Sequence, residues 1–347
     1  MTTSAEGSVL SYTRCPMPTA SSIAISDGWL AREFEPDGIS VRSLSKTAGH
    51  DDRLAHYSHA NSALFREGGV VPPLWSYARG ARTRLLAIGQ EEGFRGLIVR
   101  SDSDIVEPRH LRGKRIALPS RTGQLVDFAR AVNWRGIVEC LRVAGLEEAD
   151  VSLVDATSTE PFMSEAATSG DGSIYTARDK VRLQTAEVLA LVRSEVDAIF
   201  TAGGYGLEVA ALIDARVVVE QSKRDPWAEW SGNHLRVLTV SEELVERRPD
   251  LVARYLSTLQ RAASWAGEHE RDALRVIAAE IGLAEEWARV GYHPGTCRHL
   301  YLERSDDALE KLDQWACFPA ERGFLARAVD IAGWLVPEVD LVPSVGA

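Results

Sequence analysis

Four residues in the first fifth of the chain have side chains or backbone suited to chemistry on a small anion: Cys15, His56, Arg66 and Gly69. Proline follows Cys15 directly and again two residues later, which predicts a rigid, non-helical loop that presents a thiol to a cleft. Imidazole can hydrogen-bond a thiol or an anion near neutral pH. The planar fork of arginine fits a pair of oxygens, and glycine lets a backbone N–H approach an anion closely. These residue types suit an anion clamp beside a reactive thiol if the fold brings them together.

Each of these residues also has an ordinary structural interpretation. A lone cysteine is usually a small buried hydrophobe, and a lone arginine is usually a surface charge. The spacing of His50, His56 and His59 lacks the helical pair and nearby acidic ligand of a zinc protease, so we predict no metal. Arg14 and Arg66 would add positive potential around the thiol of Cys15 if the fold brings them near it.

Charge and composition exclude several classes of partner. The 39 basic and 50 acidic residues give a formal charge of −11, which disfavours nucleic acid and anionic membrane surfaces. No apolar run approaches the ~20 residues of a membrane span, and no secretory signal is apparent, so we expect a cytoplasmic protein. The four cysteines form no CxxC pair, which argues against a zinc site or a redox dithiol and favours reduced thiols.

The elements that must position the thiol form an α/β pattern. A length of 347 residues fits two lobes with a cleft between them. Short apolar strands alternate with helices, as in βαβ units, and the sequence after Glu242 is almost wholly helical in pattern. We predict these strands: Ile39–Leu44, Thr83–Gly89, Phe94–Arg100, Leu111–Ser120, Val151–Ala156, Val196–Gly204, Arg216–Glu220 and His234–Ser241. We predict these helices: Val126–Ala144, Leu183–Val196, Leu251–Glu268, Arg271–Ile281, Asp306–Trp315 and Gly323–Ala332.

Two further segments lie between these elements. Arg53–Phe65 is expected to be a loop or helical turn, and Pro161–Lys180, rich in Ser, Thr and Gly, is expected to be a mobile lid. The glycines at 203–206 lack a full dinucleotide fingerprint, so we interpret them as a turn that brings Gly204 to the cleft. No GxSxG or HExxH motif is present.

Three motifs carry a resemblance to a known family. SYTRCPMP (Ser11–Pro18), HYSHANSALFREGG (His56–Gly69) and VNWRGIVECLRVAGL (Val132–Leu146) resemble segments of the 2'-hydroxybiphenyl-2-sulfinate desulfinase family. The likeness is collinear through most of the chain, including Asp307–Phe318. That family lies within a superfamily of sulfonate, nitrate and thiamine-precursor binding proteins. The resemblance implies the two-lobed α/β periplasmic-binding-protein-like fold, with a central cleft and C-terminal helices.

The resemblance also implies roles for individual residues. Cys15 matches the catalytic cysteine of the family, and His56, Arg66 and Gly69 match the residues that surround the sulfinate. Trp134 falls where the family has a tryptophan that lines an aromatic pocket.

This chain departs from the family pattern just after the matched histidine. Tyr57 stands where the family has Phe, and we assign it to the aromatic pocket beside Trp134. His59 and Asn61 change the polar residues that follow, and we expect His59 to contact the substrate. The chemistry can therefore carry over while the substrate differs.

These observations predict a cofactor-free, cysteine-dependent C–S lyase that releases sulfite from an aromatic or conjugated sulfinate. Cys15 would act either as proton donor to carbon or as nucleophile on sulfur. We expect a monomer that binds a small anion, with residues 1–110 in lobe 1, 111–235 in lobe 2 and 236–347 returning to lobe 1. Two alternatives stay open: a binding protein for a small sulfonate-like anion, and another cysteine enzyme of secondary metabolism on the same fold.

Overall fold

The computed structural model describes most of the chain. It covers residues 9–47, 49–91, 93–159, 184–221, 234–292 and 295–338. The predicted lid, Pro161–Lys180, lies outside the described residues. None of the helices in the described ranges combines the length and the apolar character that crossing a bilayer requires.

Two five-stranded sheets form the centre of the protein, and each is mixed. The first has the order β2-β1-β3-β10-β4, with β10 antiparallel to both of its neighbours. The second has the order β7-β6-β8-β5-β9, with β5 antiparallel to both of its neighbours. The strands of the first sheet are β1 Val9–Arg14, β2 Ser40–Ser43, β3 Leu64–Gly69, β4 Thr83–Glu91 and β10 His234–Ser241. Those of the second are β5 Arg95–Arg100, β6 Arg115–Arg121, β7 Ser152–Ser158, β8 Ala198–Ala202 and β9 Ala215–Glu220.

Helices cover both faces of each sheet in the described residues. Those before residue 220 are α1 Ala20–Ser26, α2 Trp29–Phe34, α3 His50–Arg53, α4 Ala55–Ser58, α5 Val71–Ala78, α6 Phe128–Val143, α7 Thr185–Val192 and α8 Gly203–Leu212. Those after it are α9 Glu242–Arg247, α10 Pro249–Glu268, α11 Glu270–Ile281, α12 Glu285–Gly291, α13 Asp306–Glu321 and α14 Ile331–Trp334. The α/β fold class and the mainly helical C-terminal third are as predicted. The predicted helix Gly323–Ala332 is wrong, because the preceding helix ends at Glu321 and the next one spans only Ile331–Trp334.

Successive side chains on the strands of the first sheet point to opposite faces, and each face packs into its own hydrophobic cluster. On β4, Leu86 packs with the helices α1, α10 and α11, whereas the neighbouring Leu85 packs against α5, α13 and α14. The same alternation on β5 sends Leu97 and Ile98 to opposite faces of the second sheet. Successive strand side chains point to opposite faces, so both sheets are apolar on both sides and need cover on each.

All eight predicted strands are present, and the described residues contain two further strands. Neither β1 nor β3 was predicted as a strand, because buried polar and charged residues interrupt their apolar pattern: Thr13 and Arg14 on β1, and Arg66 and Glu67 on β3. The lobe boundaries stay a prediction. β5 precedes the predicted boundary at 110/111, and it is hydrogen-bonded into the second sheet.

Candidate active site

A cavity of about 260 Å³ lies between the two sheets. The first sheet and its loops contribute Cys15, Arg66 and Gly69, and α4 contributes His56. The opposite wall comes from the second sheet and its helices and is largely apolar. The apolar and aromatic lining consists of Met17, Val70, Val71, Pro72, Phe94, Phe128, Ala129, Val132, Phe200, Ala202, Tyr205 and Tyr292. The cavity therefore offers a polar end beside an aromatic slot.

Backbone hydrogen bonds fix Cys15 directly after the end of β1. Its N–H donates to the carbonyl of Glu67 on β3 (3.0 Å), and its own carbonyl accepts from the N–H of Met17 (3.0 Å). The Sγ atom packs directly against the backbone of Gly68, where an added Cβ would overlap it. The thiol is thus held at the cavity wall by strand pairing and by a tight turn. The residue is half-buried.

His56 is fully buried and links the thiol to the sheet. Its Nε2 lies 3.5 Å from the Sγ of Cys15, and its Nδ1 lies 2.8 Å from the Oγ1 of Thr13 on β1. Burial, and then the charges of Arg66 and His59, hold the pKa of His56 well below its ordinary value. Both effects favour the neutral form of the imidazole.

Arg66 is buried on β3 and faces the same thiol. Its Nε donates to the carbonyl of His56 (2.9 Å), and its Nη2 lies 3.7 Å from the Sγ of Cys15. Its Nη1 is buried and has no hydrogen-bond partner among the described residues. A buried guanidinium with an unused donor at a cavity wall is suited to bind an anionic oxygen.

A buried ion pair supports the strand that carries Arg66. The carboxylate of Glu67 accepts from the Nε of Arg236 (3.3 Å) and from the backbone N–H of Ser21 (3.1 Å). Arg236 in turn donates to the carbonyl of Gln90 at the end of β4. These contacts join β3, β10 and β4 where they border the cavity, so the position of Arg66 is fixed from both sides.

The first turn of α5 lies beside the predicted clamp. Gly69 at the end of β3 lines the cavity, as do Val70 and Val71, where the helix begins. The N-terminus of a helix carries a partial positive charge and favours an anion. The structure therefore brings Cys15, His56, Arg66 and Gly69 to one end of one cavity.

Three other predicted substrate contacts lie outside the cavity wall. Tyr57 is buried and packs edge-on against His56, 5.3 Å between ring centroids. His59 ends α4 in the left-handed conformation, and its ring is buried behind the site. Trp134 stacks with the guanidinium of Arg322 (4.4 Å) and contacts Phe318 on α13. None of these three side chains lines the cavity; each packs against other parts of the protein.

Gly204 also differs from its predicted place. The glycines at 203–206 begin α8 instead of forming a turn, and Gly204 packs against the backbone of Trp287 on α12. Its neighbours Gly203 and Tyr205 line the cavity. Arg14 does not line the cavity and pairs with Glu280, but its charge interacts with Cys15, as expected.

Several lining residues escaped prediction. Phe128 and Val132 face the cavity from the first turns of α6, whose start is capped by the side chain of Asp127. Glu91 and Arg95 line it from the end of β4 and the start of β5. Glu91 follows the predicted strand Thr83–Gly89, and Arg95 is near the start of the predicted strand Phe94–Arg100. These positions were the available signal, because strand ends commonly border clefts in α/β folds.

We expect Gly68→Ala to lower activity because the new Cβ would displace the Cys15 thiol from His56. A misplacement of about 1 Å at a reacting group can reduce turnover about 100-fold. Steady-state kinetics on folded protein would measure the loss. Gly267→Ala is the matched control, since its Cβ would meet neighbours only at ordinary contact distances of 3.6 Å or more. Wild-type kinetics in Gly68→Ala would contradict the placement of the thiol.

We expect His59→Asn to weaken the pH dependence of stability. Burial, and next the charge of Arg66, lower the pKa of His59 to about 3. The unfolded chain binds this proton below about pH 6.5 and the folded protein does not, so stability falls as pH drops toward 3. The slope is up to about 1.4 kcal/mol per pH unit.

Asparagine tolerates the left-handed backbone of residue 59 and does not titrate there. Denaturant unfolding at pH 7.5, 6 and 5 would compare the two proteins. If the free energy of unfolding fell equally steeply with decreasing pH in the variant, His59 would not contribute to the pH dependence of stability.

The described residues contain no group of three or more His, Cys, Asp and Glu side chains that could hold a metal ion.

A sequence model of the family described as NMT1/THI5 like matches residues 23–273, more than half of the chain. The chain belongs to the NMT1/THI5-like family. No curated protein is similar enough in sequence to match it.

Solved structures similar to this family member include an enzyme. The crystal structure of the desulfurization enzyme DszB is 27% identical, covers 96% of this chain and 97% of its own, and has a TM-score of 0.77. A mutant of DszB with serine in place of a cysteine, in complex with biphenyl-2-sulfinic acid, is 26% identical, covers 96% of this chain and 98% of its own, and has a TM-score of 0.78. The predicted resemblance to the desulfinase family is confirmed.

A more distant likeness concerns the fold alone. The periplasmic aliphatic sulphonate binding protein SsuA from Escherichia coli is 15% identical, covers 95% of this chain and 92% of its own, and has a TM-score of 0.63. The predicted periplasmic-binding-protein-like fold is confirmed by this match and by the DszB structures.

Proposed function

We propose that this protein is a desulfinase that cleaves the C–S bond of an aromatic or conjugated sulfinate and releases sulfite. The observation that carries the proposal is the grouping of a thiol, a neutral imidazole and an unused guanidinium donor at one end of an apolar cavity. The net reaction consumes one water: the sulfinate and water give the arene and hydrogen sulfite.

The neutral state of His56 favours Cys15 as the proton donor. A cysteine–imidazolium ion pair requires a protonated imidazole, which burial and Arg66 oppose. In this route Cys15 delivers the proton of its thiol to the carbon that carries sulfur. The C–S bond then breaks with its electron pair returning to the ring, and SO2 leaves. Water adds to SO2 to give hydrogen sulfite and a proton, which returns to the thiolate.

The surrounding groups have separate tasks in this reaction. The Nη1 of Arg66, with the start of α5, would hold the sulfinate oxygens, and Nη2 would stabilise the thiolate after proton transfer. The hydrogen bond from Thr13 to Nδ1, or its reverse, fixes the His56 ring so that Nε2 faces Sγ. The aromatic wall would hold the ring of the substrate and exclude water.

The likeness to DszB adds independent support. The DszB complex contains biphenyl-2-sulfinic acid and a cysteine-to-serine mutation. An aryl sulfinate has the two features that the cavity of this chain fits, an anionic SO2 group and an apolar ring. A small sulfinate-like anion is therefore the ligand class we assign to the site.

Sulfite release combined with thiol mapping tests the proposal. We expect the purified protein, with no metal or cofactor added, to release sulfite from biphenyl-2-sulfinate, and iodoacetamide to stop it. Peptide mass spectrometry should show that the substrate protects Cys15 from alkylation and leaves the exposed Cys317 reactive. Saturable binding of aryl and alkyl sulfinates without any sulfite would instead indicate a binding protein.

A further inference from the structure

Two different kinds of contact connect the sheets on their opposite faces. The chain passes from the first sheet to the second between β4 and β5. On one side of this crossing, α12 packs in the cluster of α1, α10 and α11 on the first sheet, and α8 packs on the second. On the other side, α13 packs on the first sheet and α6 on the second. The pairs α8–α12 and α6–α13 therefore hold the two sheets together.

Backbone contacts form the first connection. The N–H of Phe94 donates to the carbonyl of Gly291 at the end of α12 (2.8 Å), and the N–H of Gly203 at the start of α8 donates to the carbonyl of Phe94 (2.6 Å). Gly204 packs so closely on α12 that an added Cβ would overlap the carbonyl of Trp287. We call these five residues the joint. Separating the sheets here would leave buried backbone groups unpaired, which is costly.

Side-chain contacts form the second connection. The guanidinium of Arg322, directly after α13, donates to both carboxylate oxygens of Glu148 (3.1 and 2.6 Å) and lies 4.4 Å from the ring centroid of Trp134 on α6. The guanidinium of Arg135 on α6 lies 5.0 Å from the ring centroid of Trp315 on α13. No backbone hydrogen bond joins α6 to α13 in the part of the chain that the structure describes. We call these five residues the latch.

The latch consists of contacts that can break and re-form. The side chains of Arg322 and Glu148 are 32% and 30% exposed. Ion pairs at such exposure are weak and are screened by salt, and a cation over an exposed aromatic ring is of similarly modest strength. A motion that turns the sheets about the joint keeps the backbone hydrogen bonds of the joint. The latch is therefore the connection that breaks first when the sheets move apart.

The cavity lies between the joint and the latch. The start of α8 lines it beside the joint, and Phe128 and Val132 line it from the first turns of α6, just before Trp134. Ala131 on the same helix is buried in the cluster of α5 and α13, so apolar packing assists the latch. Movement of α6 away from α13 would open the cavity along its aromatic wall and would leave Cys15 in place beside the first sheet.

We propose that the latch controls the rate at which ligands enter and leave the cavity. The cavity opens when Arg322 releases Glu148 and α6 moves away from α13 about the joint, and it closes when these contacts re-form. Closing movements in enzymes commonly take microseconds to milliseconds. The inference goes beyond the proposed function, because it concerns any ligand of this cavity and its test uses no sulfinate.

The rate at which Cys15 is alkylated tests the proposal. The probe is N-phenylmaleimide, an uncharged reagent with an aromatic ring, and peptide mass spectrometry follows each cysteine with time. We expect Glu148→Gln and, separately, Arg322→Met to raise the alkylation rate of Cys15 about 3- to 10-fold, because each variant loses contacts that favour the closed cavity. The buried Cys140 and Cys297 should react as slowly as in the wild type.

Glu33→Gln is the matched control. Glu33 pairs with Arg254 (3.0 Å) at similar exposure, between α2 and α10 on one face of the first sheet, so its loss should leave the alkylation of Cys15 unchanged. Salt provides a second measurement, since the reagent is uncharged. Raising KCl from about 0.05 M to about 1 M should speed the alkylation of Cys15 about 2-fold in the wild type, and Glu148→Gln should lose most of this dependence.

Two results would overturn the inference. One is an alkylation rate of Cys15 that is the same in the wild type, in both latch variants and at high salt. The other is an equal acceleration of Cys140 and Cys297, since that would show that the latch stabilises the whole fold instead of the closed cavity. The salt dependence of the wild type decides the question if neither variant folds.

Discussion

Replacing Cys15 with serine is expected to reduce sulfite release by about 10³-fold or more while sulfinate binding stays within a few-fold of wild type. A hydroxyl is a much weaker acid than a thiol, and a positioned proton donor commonly contributes 10²- to 10⁴-fold to a rate. The exchange alters one atom at the cavity wall, so the contacts of Arg66 with the anion stay intact. Steady-state sulfite assays and calorimetric binding measure the two quantities separately.

Cys317→Ser provides the matched control for this change. Cys317 is exposed on α13, and its thiol contacts only the backbone carbonyl of Asp313 among the hydrogen bonds of the described residues. We expect wild-type turnover in that variant. Turnover that survives in Cys15→Ser would remove the thiol from the mechanism and leave Arg66 and His56 as the groups to explain catalysis.

Changing Arg66 to lysine is expected to lower kcat/KM by about 10- to 100-fold, the effect of losing hydrogen bonds to a charged group worth about 1.5 to 3 kcal/mol. Lysine keeps the charge but cannot donate to the carbonyl of His56, the thiol and an anion from one planar fork. The loss should appear in both KM and kcat, since Arg66 would contact the ground state and stabilise the thiolate.

Arg121→Lys controls for the removal of a buried arginine. Arg121 is buried on β6 and donates from Nη2 to both carboxylate oxygens of Glu187 (2.8 and 2.9 Å), outside the cavity wall. We expect that variant to lose stability without a specific loss of kcat/KM. Equal kinetics for Arg66→Lys and wild type would place the Arg66 guanidinium outside the reaction.

The apolar strands could be predicted from sequence because both faces of each sheet are buried. β4 and β5 are nearly continuous apolar runs and were predicted almost to their ends. β1 and β3 were not, because they carry the polar residues of the site and its support. On β3 the buried charges of Arg66 and Glu67 are stabilised by partners from α1, α4 and β10, which no local pattern reveals.

The polar end of the site was predicted more successfully than its walls. Cys15, His56, Arg66 and Gly69 were recognised by residue type and motif, and the fold brings them together. Trp134 was predicted to line the cavity, but the sequence does not show which side of its helix faces the cavity. In the structure its ring packs against Phe318 on α13. Whether a residue lines a cavity depends on contacts between distant elements.

Glu91 and Arg95 show a related limit. Their sequence context is that of ordinary charged residues at the ends of strands, and only the meeting of the two sheets places them inside the cavity. The monomeric state and the cytoplasmic location, both expected from the sequence, stay predictions.

A mass balance on the reaction tests the central claim most directly. Purified protein is incubated with biphenyl-2-sulfinate, and sulfite and biphenyl are quantified against time by chromatography, beside the Cys15→Ser variant and a reaction without protein. The proposed function predicts sulfite and biphenyl in equal amounts, many turnovers for each protein molecule, and background rates in the variant. Bound, unchanged sulfinate with neither product would contradict it.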